Sequence, residues 1–176
     1  GGVRLDVDAG RAAGAAVTLA LVDDLDEVSE LAPTNGVSPV DAGPGSERCR
    51  LVVTSDGVRA EGVTAEAVFR SLSSLRQLID AAAAGADRVE LASVEVLDAP
   101  RYAWRGLSLD VVRTFFSVAE VQRVIDQVAR FKCNVLHLHL TDNGGWRLQI
   151  DSWPKLTEIG AAGASGDRPD GWYTQD

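Results

Sequence analysis

Gly106-Leu107-Ser108-Leu109-Asp110-Val111-Val112-Arg113 and Val135-Leu136-His137-Leu138-His139-Leu140-Thr141-Asp142 are the two stretches on which the fold turns. Residues 106–112 and 135–140 read as apolar, buried strands. Between them stands Ser117-Val118-Ala119-Glu120, a capping box in which the Ser hydroxyl and the Glu carboxylate satisfy free amides of a first helical turn. Val121, Val124, Ile125 and Val128 follow at helical spacing and predict the buried stripe of a helix that runs to Phe131-Lys132. A strand, a helix and a strand make a βαβ unit, whose two strands must be parallel and joined by a right-handed crossover.

Strand direction then says where chemistry belongs. In parallel α/β folds the carboxyl ends of the strands gather on one face, and sites are built there. The first strand ends at Arg113 and the second at Asp142, so both are predicted on one rim. A guanidinium fork suits paired acceptors such as neighbouring sugar hydroxyls, and an Asp can orient a His or accept from a ligand. The two can equally pair with each other as a structural ion pair, and position alone does not choose. His137 and His139 are two apart, so they point to one side while Leu136, Leu138 and Leu140 point to the other, toward the helices. Imidazoles at that spacing can begin a metal site. A hydrogen-bonded polar layer is the simpler reading, because the chain has only these two His.

Working outward, Asp98-Ala99-Pro100-Arg101 is a turn-forming junction, since the residue before Pro is pushed out of the α region. The domain boundary is expected there, giving residues 1–100 and 101–176. Upstream, residues 3–7 alternate like a strand, 16–22 are apolar, and the Pro/Gly/Ser/Asp-rich stretch 31–47 reads as a loop. Residues 48–54 and 58–63 flank Ser55-Asp56-Gly57, a strong hairpin signal. From Thr64 the period changes: Val68, Leu72, Leu75 and Ile79 predict an amphipathic helix ending in the Ala/Gly run 81–85. Residues 88–97 return to β-like alternation through Val89, Leu91, Val94 and Val96. Together these predict a small α+β layer domain.

Composition narrows the partners. The chain has 176 residues, 45% of them hydrophobic, enough for a sizeable core, and a net charge of -9. That charge disfavours nucleic acid and anionic membrane surfaces, and no apolar run reaches the roughly 20 residues that span a bilayer. A neutral or small polar ligand fits better. The chain contains no Met and opens on Gly1-Gly2, so its natural start is expected elsewhere, and either secretion or a cytoplasmic life fits. Cys49 and Cys133 lie in separate apolar runs and read as buried thiols rather than a disulfide or metal pair. Trp104, Trp146, Trp153 and Trp172 cluster in the second half; sugar stacking is one reading, core packing the preferred one for most. Asp23, Asp24 and Glu27 read as a solvated loop face. No closely paired carboxylates of the glycosidase kind stand out.

A family resemblance runs through the same residues. Asp98-Ala99-Pro100-Arg101-Tyr102-Ala103-Trp104-Arg105-Gly106, Leu109-Asp110-Val111-Val112-Arg113, Lys132-Cys133-Asn134-Val135-Leu136-His137-Leu138-His139-Leu140-Thr141-Asp142 and Gly145-Trp146-Arg147-Leu148-Gln149-Ile150 occur in order. Trp153-Pro154-Lys155-Leu156-Thr157 and Gly171-Trp172-Tyr173-Thr174-Gln175 continue the series. This series resembles the entry to a family 20 glycoside hydrolase barrel, of the β-N-acetylhexosaminidase type. Residues 1–100 are similar, more weakly, to the small α+β domain that precedes that barrel.

The resemblance implies a (β/α)8 TIM barrel, of which this chain holds the first β-α-β part. It implies removal of terminal N-acetylglucosamine or N-acetylgalactosamine from glycans with retention, without a cofactor. The implied mechanism is substrate-assisted: the 2-acetamido oxygen attacks the anomeric carbon, a Glu protonates the leaving oxygen, and a neighbouring Asp orients the acetamido group. That Asp-Glu pair follows the fourth barrel strand, so the chain alone is expected to be inactive. By resemblance, Arg113 matches the Arg that holds hydroxyls of the cleaved sugar. Asp142 matches the carboxylate that supports the catalytic Glu through a His further along. Thr114 stands where the family usually has His, and Asn143-Gly144 where it has Asp-Gln. The expected partner is an N-acetylhexosamine-containing glycan. Open strand edges further call for a second copy or the remainder of the same polypeptide. Two other readings stay open: a non-catalytic sugar-binding or interaction fragment, and a metal-dependent barrel hydrolase built on His137 and His139.

Overall fold

The computed structural model describes residues 2–6, 16–25, 45–83, 88–163 and 170–176. The chain forms two compact units, Gly1–Trp104 and Arg105–Asp176. Among the described residues no helix is long and apolar enough to cross a membrane.

In chain order the first unit contains β1 (Gly2–Asp6), β2 (Ala16–Leu21), β3 (Cys49–Thr54), β4 (Gly57–Gly62), α1 (Ala65–Ala83), β5 (Arg88–Ala92) and β6 (Val94–Asp98). Four strands form one sheet in the order β2-β4-β3-β6, and β1 pairs with β5 separately. The hairpin β3–β4 is antiparallel, and Gly57, with φ 143°, takes a backbone conformation that L side chains resist. Leu51, Val53, Val58 and Ala60 from this hairpin meet Leu75 of α1 and Val89 and Leu91 of β5 in the core. Leu72 and Ile79 pack on the same cluster, as the helical spacing predicts. Cys49 is buried and Cys133 half-buried, both as thiols. The expected loop at 31–47 is described only from Gly45, where a turn leads into β3; its residues 31–44, and the helix end at 84–85, lie outside the described residues.

One expectation needs correction. Residues 88–97 are not a single strand: β5 pairs with β1 and β6 with β3, with a break at Ser93. The reason lies in the pleat. Val89 and Leu91 are odd-numbered and Val94 and Val96 even-numbered, yet all four pack on one core. A continuous strand would send one pair to each face.

Helix α1 sits unusually close to β4. A Cβ added at Gly62 would collide with the backbone nitrogen of Val68 and stand 2.7 Å from the Ala67 carbonyl carbon. Thr64 caps the same end, accepting from the Ala67 amide at 3.1 Å and donating to the Ser46 carbonyl at 2.6 Å. Ser71 donates to the Arg50 carbonyl at 3.0 Å, tying the helix to β3. Gly62→Ala is therefore expected to destabilise this unit by about 1–3 kcal/mol, because the colliding atoms are backbone and cannot swing away. A urea denaturation midpoint unchanged from the parent would contradict this.

The second unit contains β7 (Gly106–Asp110), α2 (Val118–Arg130), β8 (Val135–His139), β9 (Thr141–Asp142), β10 (Gly145–Trp146) and α3 (Lys155–Glu158). Strands β7 and β8 are parallel, in register from Gly106↔Val135 to Asp110↔His139. The capping box forms as predicted: Glu120 N donates to Ser117 Oγ at 3.3 Å and Ser117 N to Glu120 Oε2 at 2.8 Å. The buried stripe is narrower than predicted. Val121 is buried and Val124 and Val128 half-buried, but Ile125 is 47% exposed.

Three of the four indoles also depart from the core-packing expectation: Trp104, Trp153 and Trp172 are exposed, while Trp146 is half-buried with its Nε1–H on the Leu148 carbonyl. The first three find no second layer among the described residues. Trp146 is covered because Asn143-Gly144 turns β9 tightly into β10 and its amide donates to the Gly160 carbonyl at 2.7 Å. Beyond β10, Arg147 is completely buried. Its Nε and Nη2 donate to the Val112 carbonyl at 3.3 and 2.7 Å, and its Nη1 donates to the carbonyls of Ala161 at 2.6 Å and Gly171 at 3.0 Å.

Helix α2 ends in a Schellman motif. The amides of Lys132 and Cys133 donate to the carbonyls of Ala129 and Val128, both at 3.0 Å, and Lys132 takes φ 58°. A left-handed residue with a Cβ is strained there. Lys132→Gly is expected to raise stability by about 0.5–1 kcal/mol, read as a higher thermal midpoint.

Candidate functional site

The site is built where β7 and β8 end. Because the strands are parallel and in register, Asp110 and His139 stand side by side, and the residues that follow each strand share one rim. Arg113 donates from Nη2 to Asp142 Oδ2 at 2.6 Å, and its Nη1 bonds Asp110 Oδ2. Asp142 Oδ2 also contacts His139 Nε2 at 2.8 Å, while its Oδ1 accepts from the Asn143 amide at 2.6 Å. The guanidinium thus lies between two carboxylates, one of which it shares with an imidazole. The Arg113 side chain is 55% exposed and that of Asp142 24%, so the cluster faces solvent.

Both rim residues singled out by strand direction are brought together, and they do pair with each other. Two further members complete the cluster: Asp110, which the sequence reading does not single out, and His139, which it assigns to a polar layer or a metal site. Asp110 accepts the amides of Val112 at 2.9 Å and Arg113 at 3.1 Å through Oδ1, folding the end of β7 into a turn. An Asp two and three residues before those amides is the usual signal for such a turn. The His139–Asp142 contact was legible in the same way, as a His and an Asp three apart where a strand ends. His137 faces the same side as His139, with Nδ1 3.4 Å from Ser108 Oγ on the neighbouring strand. The two imidazoles thus have separate neighbours, and among the described residues no group of three or more His, Cys, Asp or Glu gathers as a metal site. Asp23 and Asp24 are exposed, and Glu27 lies outside the described residues.

The electrostatics keep the rim ionised. Desolvation pushes the Asp110 carboxyl up, but hydrogen bonds from the Arg113 side chain and from the Arg113 and Val112 amides outweigh it, lowering it from the ordinary 3.8 to about 2. Asp142 is lowered chiefly by the His139 hydrogen bond, then by the Asn143 amide and the Arg113 charge. Arg113 is raised, first by its hydrogen bond to Asp110 and then by the charge of Asp142. For a carboxylate depressed in the folded state, the stabilisation is complete above the ordinary range and is lost as pH falls through the folded value. The Asp110 carboxyl carbon is accordingly expected to titrate near about 2, with thermal stability falling between pH 3.8 and that value and Asp110→Asn flattening the fall. An NMR titration midpoint at 3.8 would contradict it.

Comparison with known proteins places the family-model match in this unit, while similar proteins align over much of both units. Residues 102–176 match the family model described as glycosyl hydrolase family 20, catalytic domain. A β-N-acetylhexosaminidase of Cellulomonas fimi is 43% identical over 129 residues, which make up 73% of this chain and 26% of that protein. Among solved structures, the GH20 β-N-acetylhexosaminidase from Streptomyces coelicolor A3(2) superposes with a TM-score of 0.71 at 38% identity, covering 93% of this chain and 30% of that one. A mutant Streptomyces plicatus β-hexosaminidase in complex with its product GlcNAc gives a TM-score of 0.71 at 35% identity, covering 98% and 38% respectively. The chain therefore spans well under half the length of these relatives. Residues 102–176 thus match the catalytic domain of glycosyl hydrolase family 20, and the chain is similar to β-N-acetylhexosaminidases of that family.

Proposed function

We propose that the chain supplies the small α+β domain, residues 1–100, and the opening βαβ of the (β/α)8 catalytic barrel, from residue 101, of a β-N-acetylhexosaminidase. The whole enzyme removes terminal N-acetylglucosamine or N-acetylgalactosamine from glycans with retention. The observation that carries this reading is the Arg113–Asp142 pair, exposed at the carboxyl ends of two parallel strands, within the segment that matches the family's catalytic domain.

Each residue has a role that its chemistry suits. Arg113 presents a planar fork at the rim, and two neighbouring sugar hydroxyls can accept from it in place of a carboxylate. Asp142 stays ionised, so it can hold an imidazole contributed by a later part of the barrel in the orientation that supports the acid Glu. As the acetamido oxygen bonds to the anomeric carbon, the bond to the leaving oxygen breaks and the Glu supplies that oxygen's proton. The acid/base pair has no counterpart in residues 102–176, so the 176-residue chain is expected to hydrolyse no chromogenic N-acetylglucosaminide; turnover by the pure chain would overturn that part of the reading.

A fusion tests the rest. The full chain, placed in the Cellulomonas fimi enzyme in place of the matching segment, is expected to hydrolyse the same substrate. Within it, Arg113→Ala is expected to lower kcat/KM by about 100-fold with a raised KM, and Asp142→Asn to lower kcat by about tenfold or more. A folded fusion without turnover, or Arg113→Ala kinetics equal to the parent's, would overturn the assignment.

A further inference from the structure

Arg147 is the largest fully buried side chain among the described residues, and among them all its acceptors are main-chain carbonyls. Burying a cation without a carboxylate is costly, and an apolar residue would fill the space more cheaply. What only the guanidinium supplies is a rigid fork that fixes the direction of several carbonyls at once. Two of its nitrogens converge on a single oxygen, that of Val112, and Val112 is the residue before Arg113.

The peptide group joining Val112 to Arg113 is thereby held at both ends. Its carbonyl takes the Nε and Nη2 hydrogens of Arg147 at 3.3 and 2.7 Å, and its N–H donates to Asp110 Oδ1 at 3.1 Å. The side chain of Val112 is fully buried as well, so rotating the peptide plane would break these hydrogen bonds and disturb the packing around it. The loop beyond it is braced too: the Phe115 ring lies 5.9 Å from the Arg147 guanidinium, and the Tyr173 hydroxyl donates to the Phe116 carbonyl at 2.7 Å. We infer that Arg147 is a positioning residue, which through the Val112 carbonyl sets the place from which Arg113 reaches the sugar. The inference rests on the sugar-gripping role of Arg113 proposed above.

A double-mutant cycle in the active fusion separates positioning from general stability. Lys keeps the charge but loses the fork, so Arg147→Lys is expected to lower kcat/KM by about tenfold, mainly through KM. In an Arg113→Ala background the same change is expected to alter kcat/KM by less than about twofold, because the group it positions is gone. Equal losses in both backgrounds would overturn the inference. If instead Arg113→Ala alone leaves kcat/KM unchanged, the proposed function fails rather than the positioning argument. Ser117→Ala, which removes the α2 cap, is the stability control: a lower thermal midpoint with unchanged KM is expected, and a KM shift matching that of Arg147→Lys would also overturn the inference. Should Arg147→Lys not fold, Phe115→Leu removes the ring beside the guanidinium and keeps its hydrogen bonds. It is expected to raise KM in the parent background only, and a rise in both backgrounds would overturn the inference.

Discussion

A single buried cation organises the second unit. Arg147 reaches carbonyls that lie 35, 14 and 24 residues away along the chain, at Val112, Ala161 and Gly171. Those carbonyls come from irregular segments, where no ladder of strand or helix bonds is available to satisfy them. The guanidinium therefore takes the place that a third strand or a packed helix holds in a more regular fold. The segment around it is drawn in by its own backbone: Tyr173 N donates to the Arg147 carbonyl at 2.8 Å, and Gln149 N to the Tyr173 carbonyl at 2.9 Å. Glycine at 171 is required by the same arrangement, since a Cβ there would enter the Phe115 ring.

The rim above this knot alternates in sign. Asp110, Arg113, Asp142 and His139 form a chain of contacts in which each charge neighbours its opposite or a polar ring. Such an arrangement holds side chains in place while leaving them in water, where an isolated surface pair contributes little to stability. The order comes from backbone amides as much as from charge. Asp110 accepts two of them and Asp142 one, and these fixed dipoles add to the side-chain hydrogen bonds from Arg113 and His139 that keep the two carboxylates ionised.

Much of this was legible because it is encoded locally. The capping box at Ser117 and Glu120, the hairpin at Asp56-Gly57 and the two apolar runs at 106–112 and 135–140 each carry their own signal, and strand direction alone brought Arg113 and Asp142 to one edge. What escaped is encoded at a distance. Arg147 stands in an alternating stretch with Leu148, Gln149 and Ile150 that reads as an ordinary half-exposed strand, and nothing nearby announces that its acceptors will surround it. Ile125 and the exposed tryptophans were misjudged for a related reason: burial depends on how much partner surface the fold supplies, which periodicity does not report. The left-handed turn at Lys132 lacked the glycine that normally marks one. Asp110, by contrast, was visible and overlooked, since an Asp followed by Arg three residues on, at a strand end, is a turn signal in its own right.

The break at Ser93 has a consequence for how this domain can change over evolution. The residues on either side belong to different sheets but feed one core, and they do so only because one strand ends on odd-numbered contacts and the next begins on even-numbered ones. What counts there is one residue's worth of chain. Adding or deleting a single amino acid between Leu91 and Val94 would throw the valines of β6 out of phase with their core, while exchanges of side chain at the break leave the phase intact. The geometry of the segment thus depends on its length, a constraint carried by the spacing of residues rather than by their identity.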